Sequence, residues 1–152
     1  MTGYKKILFL CIVSILIFFS CTTGKSWDFN TDYFSIVVND KGYIISMKNI
    51  TVLPNREFSP TEKPSPLMSL YDSEKKAYYT PQSASFNETT NCFTLEYLNG
   101  SVAEVTLQPC GKYFKLTLNN LEPRNGIDAI QWGTYYTNIT NLLGEIIGVA
   151  RD

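Results

Sequence analysis

Residues 92–108, CFTLEYLNGSVAEVTLQ, leave this chain few choices. Apolar and polar residues alternate on both sides of Asn99 and Gly100, which is the period of a half-buried β-strand, and Asn-Gly between two such runs is a strong hairpin signal. Register follows from the faces. A two-residue loop sets Leu95 opposite Glu104 and Phe93 opposite Thr106, mixing apolar with polar. A three-residue loop of Leu98, Asn99 and Gly100, with Gly100 in the left-handed region, sets Phe93 against Val105 and Leu95 against Ala103. The second register is expected. It buries Phe93, Leu95, Ala103, Val105 and Leu107 on one face and leaves Thr94, Glu96 and Glu104 on the other.

The same pattern recurs along the chain. Phe34, Ile36 and Val38 lead into the turn residues 39–42, and a β-rich run resumes at Tyr43 and ends at Lys48. Residues 54–66 contain Pro54, Pro60, Pro64 and Pro66 and are expected to form a surface loop, because proline removes a ladder donor and fixes φ. Strands are expected over residues 66–71, over 77–86 with Pro81 as an interruption, and over 127–132 and 145–151. After a turn at 109–111, Phe114, Leu116 and Leu118 continue the meander. Residues 140–143 are expected to form one helical turn ended by Gly144. Eight or nine short strands with no sustained 3.6-residue period predict an all-β antiparallel sandwich of the supersandwich type. The chain reaches Asp152 directly after an apolar strand, and an exposed apolar edge is rarely left open. Either another subunit covers that edge or the chain is the front of a longer polypeptide.

The first twenty residues belong to a different category. Lys5 and Lys6 precede a run from Ile7 to Phe19 that is apolar except for Ser14, followed by small residues. A spanning helix needs roughly 20 apolar residues, so this run reads as a signal peptide helix, residues 1–20. Three fates compete: ordinary cleavage after Thr22 or Gly24, retention as an anchor, or processing at Cys21. Ile17-Phe18-Phe19-Ser20-Cys21 resembles a bacterial lipobox, in which the cysteine receives a diacylglycerol and becomes the mature N-terminus. Phe18 and Phe19 are bulkier than that pattern usually has, but the small residue before the cysteine is intact. Lipidated Cys21 would tie the protein to a membrane of the bacterial cell envelope, two or more chains giving stable attachment. Residues 21–32 are then a polar leader and 33–152 the sandwich.

Composition narrows the chemistry. Without residues 1–20 the chain has eleven Lys and Arg against fourteen Asp and Glu, a charge of −3, so no basic field attracts nucleic acid. Histidine is absent, which removes the usual base of a nucleophilic triad and the commonest zinc ligand. No cofactor or metal is expected. Paired carboxylates stay open, since glycosidic chemistry needs only two facing acids. Cys92 and Cys110 are the remaining thiols; the hairpin offsets them along adjacent strands, beyond the Cα separation of about 7 Å that a bridge tolerates.

Residues 131–136, Gln-Trp-Gly-Thr-Tyr-Tyr, concentrate aromatic rings beside an amide and a hydroxyl. Rings stack on sugar faces and amides bond sugar hydroxyls, which makes Trp132, Tyr135 and Tyr136 candidate ligand-binding residues. Packing of Trp132 in the core, with the tyrosines over a sheet edge, is the plainer alternative. Tyr78-Tyr79 is a second, weaker pair. Asp128 and Glu145 are the nearest acids and are expected at solvated strand ends, with Arg124 capping its loop. The sequons at Asn49 and Asn87 carry little meaning beside a bacterial lipobox.

Residues 34–48, FSIVVNDKGYIISMK, and the later stretch LEPRNGIDAIQWGTYYTNITNLLGEIIGVARD resemble the N-terminal galactose-mutarotase-like β-sandwich domains of exported, glycoside-hydrolase-like lipoproteins of gut Bacteroidetes. The likeness covers residues 33–152. It implies a non-catalytic sandwich that precedes a catalytic barrel missing here, in a protein working on glycans outside the cytoplasm, with a supporting or sugar-binding role. No catalytic residue of such a barrel has a counterpart here. Residues 22–26 lack the acids that usually direct surface display in that group, so periplasmic and surface faces of the outer membrane both stay open. The alternative from another class is a complete small structural lipoprotein whose last strand pairs with a partner chain.

Overall fold

Two hairpins facing each other build the body of the molecule. In the computed structural model, which describes residues 24–138 except 61 and 125, the first sheet runs β1 (Ser26–Asn30), β2 (Phe34–Asn39), β3 (Tyr43–Asn49) and β4 (Arg56–Glu57), with β5 (Ser65–Pro66) also pairing β3. A three-stranded sheet contains β6 (Met68–Asp72), β7 (Ala77–Tyr79) and, last in the chain, β12 (Ala129–Trp132), in the order β12-β6-β7. The remaining sheet has the order β11-β10-β9-β8, from β8 (Pro81–Asn87), β9 (Cys92–Tyr97), β10 (Val102–Cys110) and β11 (Tyr113–Glu122). All pairings are antiparallel and the fold is an all-β sandwich.

The β9–β10 hairpin has the expected register: Phe93 opposes Val105 and Leu95 opposes Ala103. Gly100 has φ +84°, and its N–H donates to the Tyr97 carbonyl at 2.9 Å, so the loop is the three residues Leu98, Asn99 and Gly100. A left-handed residue in that place gives glycine its advantage, because a Cβ there costs roughly 1 kcal/mol. Phe93, Leu95, Ala103, Val105 and Leu107 are fully buried. Cys92 and Cys110 are free thiols; Cys92 faces Thr106, while Cys110 closes the same strand as Thr106 at its far end.

The sandwich begins earlier than the sequence pattern indicates. Residues 26–30, expected in a polar leader, form β1, with Trp27 opposite Val38 and Phe29 opposite Ile36. Only two apolar residues alternate in this five-residue strand, too few to stand out as a period, yet both enter the core. Their rings meet Phe86 and Phe93 of the opposite sheet at centroid distances of 5.1 to 5.9 Å, mostly tilted or edge-on. These contacts join the two sheets.

Two other expectations are refined. The proline-rich stretch is pinned at both ends by β4 and β5, and Ser65 and Pro66 are buried. Pro81 does more than interrupt a strand: the chain changes sheets there, β7 lying beside β6 and β8 beside β9. Twelve strands form among the described residues, because the runs expected at 66–71 and 77–86 each divide in two and β1 and β4 are added. The signal, Cys21, the turn at 140–143, Glu145 and the strand at 145–151 lie outside the described residues.

Short β4 is held by one carboxylate. Ser46 Oγ donates to Glu57 Oε2 at 2.5 Å, and the Met47 and Ser59 N–H groups donate to Oε1 at 2.8 and 3.0 Å. Burial opposes ionisation of Glu57, but the Ser46 bond, the two backbone bonds and nearby Lys48 outweigh it and hold the pKa below its ordinary value. A depressed folded-state pKa stabilises the fold above the ordinary value of 4.5 and loses that contribution as pH falls through the lowered one. Asp72, bonded by Lys75, and Asp128, bonded by Ser73, shift the same way. Urea unfolding should therefore show stability declining below about pH 4.5. The gap between the wild type and Glu57→Gln should narrow over the same range, and a constant gap would remove Glu57 from the acid response.

Candidate functional site

The outer face of the three-stranded sheet borders an open cleft lined by tyrosines, an amide and hydroxyl groups. Gln131 opposes Ser69, and Tyr71 opposes Tyr78, so strand alternation puts these four residues on one face. Met68, Leu70, Tyr79, Ile130 and Trp132 occupy the intervening positions and pack in or against the core. The parity of β12 thus separates Gln131 from Trp132. Trp132 is half-buried against the core opposite Met68, the packing alternative raised by the sequence, and it does not line the cleft.

Beyond β12 the chain turns at Gly133, where φ is +48° and a Cβ would collide with the ring of Tyr135. Only glycine lets that ring fold back. Tyr135 consequently lies along an apolar groove on the other side of the segment with 45% of its surface still exposed, and desolvation of its hydroxyl raises that group's pKa. Tyr136 goes the other way. Its N–H is fixed by the Thr134 carbonyl at 2.8 Å and Ser65 Oγ at 3.1 Å.

Tyr136, Thr134 and Gln131 from this segment meet Tyr78 and Thr80 from the end of β7, Ser69 from β6, and Tyr43 of β3 with Pro64 and Pro66. Together they enclose a cleft of about 460 Å³, within the range of small-ligand sites. Tyr78 and Tyr136 are 59% and 44% exposed, which leaves ring surface for a ligand. Tyr78 is steadied from one side by Tyr71, with ring centroids 4.7 Å apart. Lys63 Nζ stands 5.9 Å from the centre of the Tyr136 ring. Three tyrosine rings, two of them well exposed, with an amide and several hydroxyls offer stacking and hydrogen bonding to a neutral polyol. No carboxylate is among the described lining residues.

Of the three residues singled out in the sequence, Tyr136 lines this cleft, whereas Trp132 and Tyr135 do not. Tyr78, raised as a weaker candidate, belongs to the same cleft, though 58 positions separate it from Tyr136. Ser69, Thr80 and Tyr43 were missed; isolated hydroxyls carry no local pattern, and only strand register gathers them. Asp128 Oδ2 accepts the Ser73 N–H at 2.8 Å, and the bonds from Ser73 lower its pKa, so its carboxylate serves a turn outside the cleft. Arg124 Nε donates to the Leu121 carbonyl at 3.2 Å, the expected cap. Among the described residues no cluster of three or more His, Cys, Asp or Glu is arranged to hold a metal. Comparison with protein-family models, curated proteins and solved structures returns no match.

Proposed function

We propose that this chain is a lipid-anchored, non-catalytic β-sandwich module of an exported carbohydrate-processing protein, and that the Tyr78–Tyr136 cleft binds a neutral sugar. The observation that carries the proposal is the meeting of two exposed tyrosine rings with an amide and hydroxyls on one sheet face. The lipobox-like residues ending in Cys21, and the resemblance to sandwich domains of glycoside-hydrolase-like lipoproteins, support the compartment and the substrate class. In this reading the module holds glycan near the envelope while a separate catalytic domain acts on it.

Calorimetric titration with a panel of neutral oligosaccharides tests the cleft. Tyr78→Ala and Tyr136→Ala should each weaken binding about fivefold to tenfold, as expected for loss of a stacking ring worth about 1 kcal/mol. Trp132→Phe should leave affinity unchanged. Equal loss from all three variants, or no binding to any oligosaccharide, would sink the sugar assignment. Mass spectrometry of membrane-extracted protein should find Cys21 as an acylated N-terminus; an unmodified chain with Met1 would remove the anchor.

A further inference from the structure

The Tyr78–Tyr136 cleft is the middle one of three adjoining hollows. Through Tyr43 and Pro64 it joins a hollow of about 550 Å³, whose other walls are Asn39, Lys41, Pro81 and Gln82. Through Tyr136 it joins another of about 460 Å³, formed with Pro60, Glu62, Lys63, Thr137 and Asn138. The two outer hollows have no lining residue in common, so the cleft is the link between them. Each of the three by itself falls in the size range of a small-ligand site. All are open to solvent among the described residues.

We propose that this continuous groove binds an internal stretch of a linear neutral oligosaccharide chain, one that runs past the cleft in both directions, rather than a single terminal sugar. The inference rests on the sugar-binding reading of the cleft. A site for a chain end needs a wall that stops the ligand, whereas this cleft leads into a further hollow at each of two bordering tyrosines. Tyr43 stands at one junction and Tyr136 at the other, and Tyr78 lines the cleft that they border. Successive rings suit a polymer whose successive units present flat apolar faces. An amide accompanies every hollow: Gln82 in the first, Gln131 in the cleft and Asn138 in the last. Gln82 Nε2 donates to the Thr80 carbonyl at 3.3 Å and Asn138 Nδ2 to the Glu57 carbonyl at 3.0 Å, so each is positioned and keeps an amide oxygen to accept from a sugar hydroxyl. The walls are set in advance. Pro60, Pro64 and Pro81 have a fixed φ, the Tyr43 N–H is held by Asn39 Oδ1 at 2.9 Å, and the Lys63 N–H by the Pro60 carbonyl at 3.2 Å. Binding then orders few protein groups, and each added sugar unit contributes contact at small entropic cost.

Calorimetric titration of the full-length protein with cello-, malto-, manno- and xylo-oligosaccharides, each from the single sugar to the hexasaccharide, tests the groove. In the series that binds, affinity should rise at least about tenfold from the single sugar to the hexasaccharide. Gln82→Ala and Glu62→Ala, at exposed positions in the two outer hollows, should each shrink the ratio of hexasaccharide to disaccharide affinity. The expected factor is about threefold, the loss of one hydrogen bond. On the soluble polymer of the same sugars, many copies of the protein should bind per chain. An affinity that does not change with length overturns the proposal, as does equal loss on short and long ligands or binding of a single copy per polymer end; each leaves the cleft a site for one sugar. No binding at any length, or binding unmoved by Tyr78→Ala and Tyr136→Ala, overturns the sugar reading itself and this inference with it.

Discussion

Replacing Phe93 with alanine is expected to lower the unfolding free energy by about 3–5 kcal/mol. Phe93 has no exposed surface, and its ring touches Trp27, Phe29 and Phe86 at centroid distances of 5.4, 5.7 and 4.6 Å. It lies at the middle of the contact between the two sheets. Removal leaves a cavity walled by rings from two strands, β1 and β8, one in each sheet, and rigid rings on paired strands cannot close inward. The cost of a cavity rises with the volume left unfilled. Urea unfolding should show a lower midpoint with an unchanged slope, since the denatured chain exposes nearly the same surface. A loss under about 1 kcal/mol would mean that the sheets repack and that the cluster is not the centre of the core.

Trp27→Ala is expected to cost a similar amount, about 3–5 kcal/mol, which separates a core strand from a polar leader. A leader residue would cost less than about 0.5 kcal/mol. Trp27 is 8% exposed, its ring packs edge-on against Phe93, and β1 is held to β2 by five paired positions. Its indole N–H has no hydrogen-bond partner among the described residues. Trp27→Phe should therefore cost much less than Trp27→Ala, because the phenyl ring keeps most of the packing and the lost N–H leaves no acceptor stranded. Combining Trp27→Ala with Phe93→Ala should cost less than the sum of the two, since touching residues share one cavity and couple by about 0.5–3 kcal/mol. Strict additivity would place the two side chains in independent sites.

Local pattern was enough where both partners of a contact lie close together in sequence. Alternation on either side of Asn99-Gly100, and the one position that needs a left-handed residue, specified the β9–β10 register down to the pair Phe93–Val105. The hairpin at residues 39–42 was legible for the same reason, with the Asn39 side chain accepting the Lys41 and Tyr43 N–H groups at 3.1 and 2.9 Å. Aromatic density at residues 131–136 flagged the segment that contributes most to the cleft. It did not distribute the rings. Whether Trp132, Tyr135 or Tyr136 faces solvent depends on the register of β12 against β6 and on the collision that forbids any side chain at Gly133.

The sequence by itself determined that this is a chain of short antiparallel strands and how its central hairpin pairs, because a period of two and a tight turn are decided by neighbours. Tertiary structure alone decided that Trp27 and Phe29 belong to the core, that the chain changes sheets at Pro81, and that Tyr78 meets Tyr136. Each of those outcomes needs a partner far along the chain. Two apolar residues in β1 acquire a preference for burial only when Phe86 and Phe93 stand opposite them.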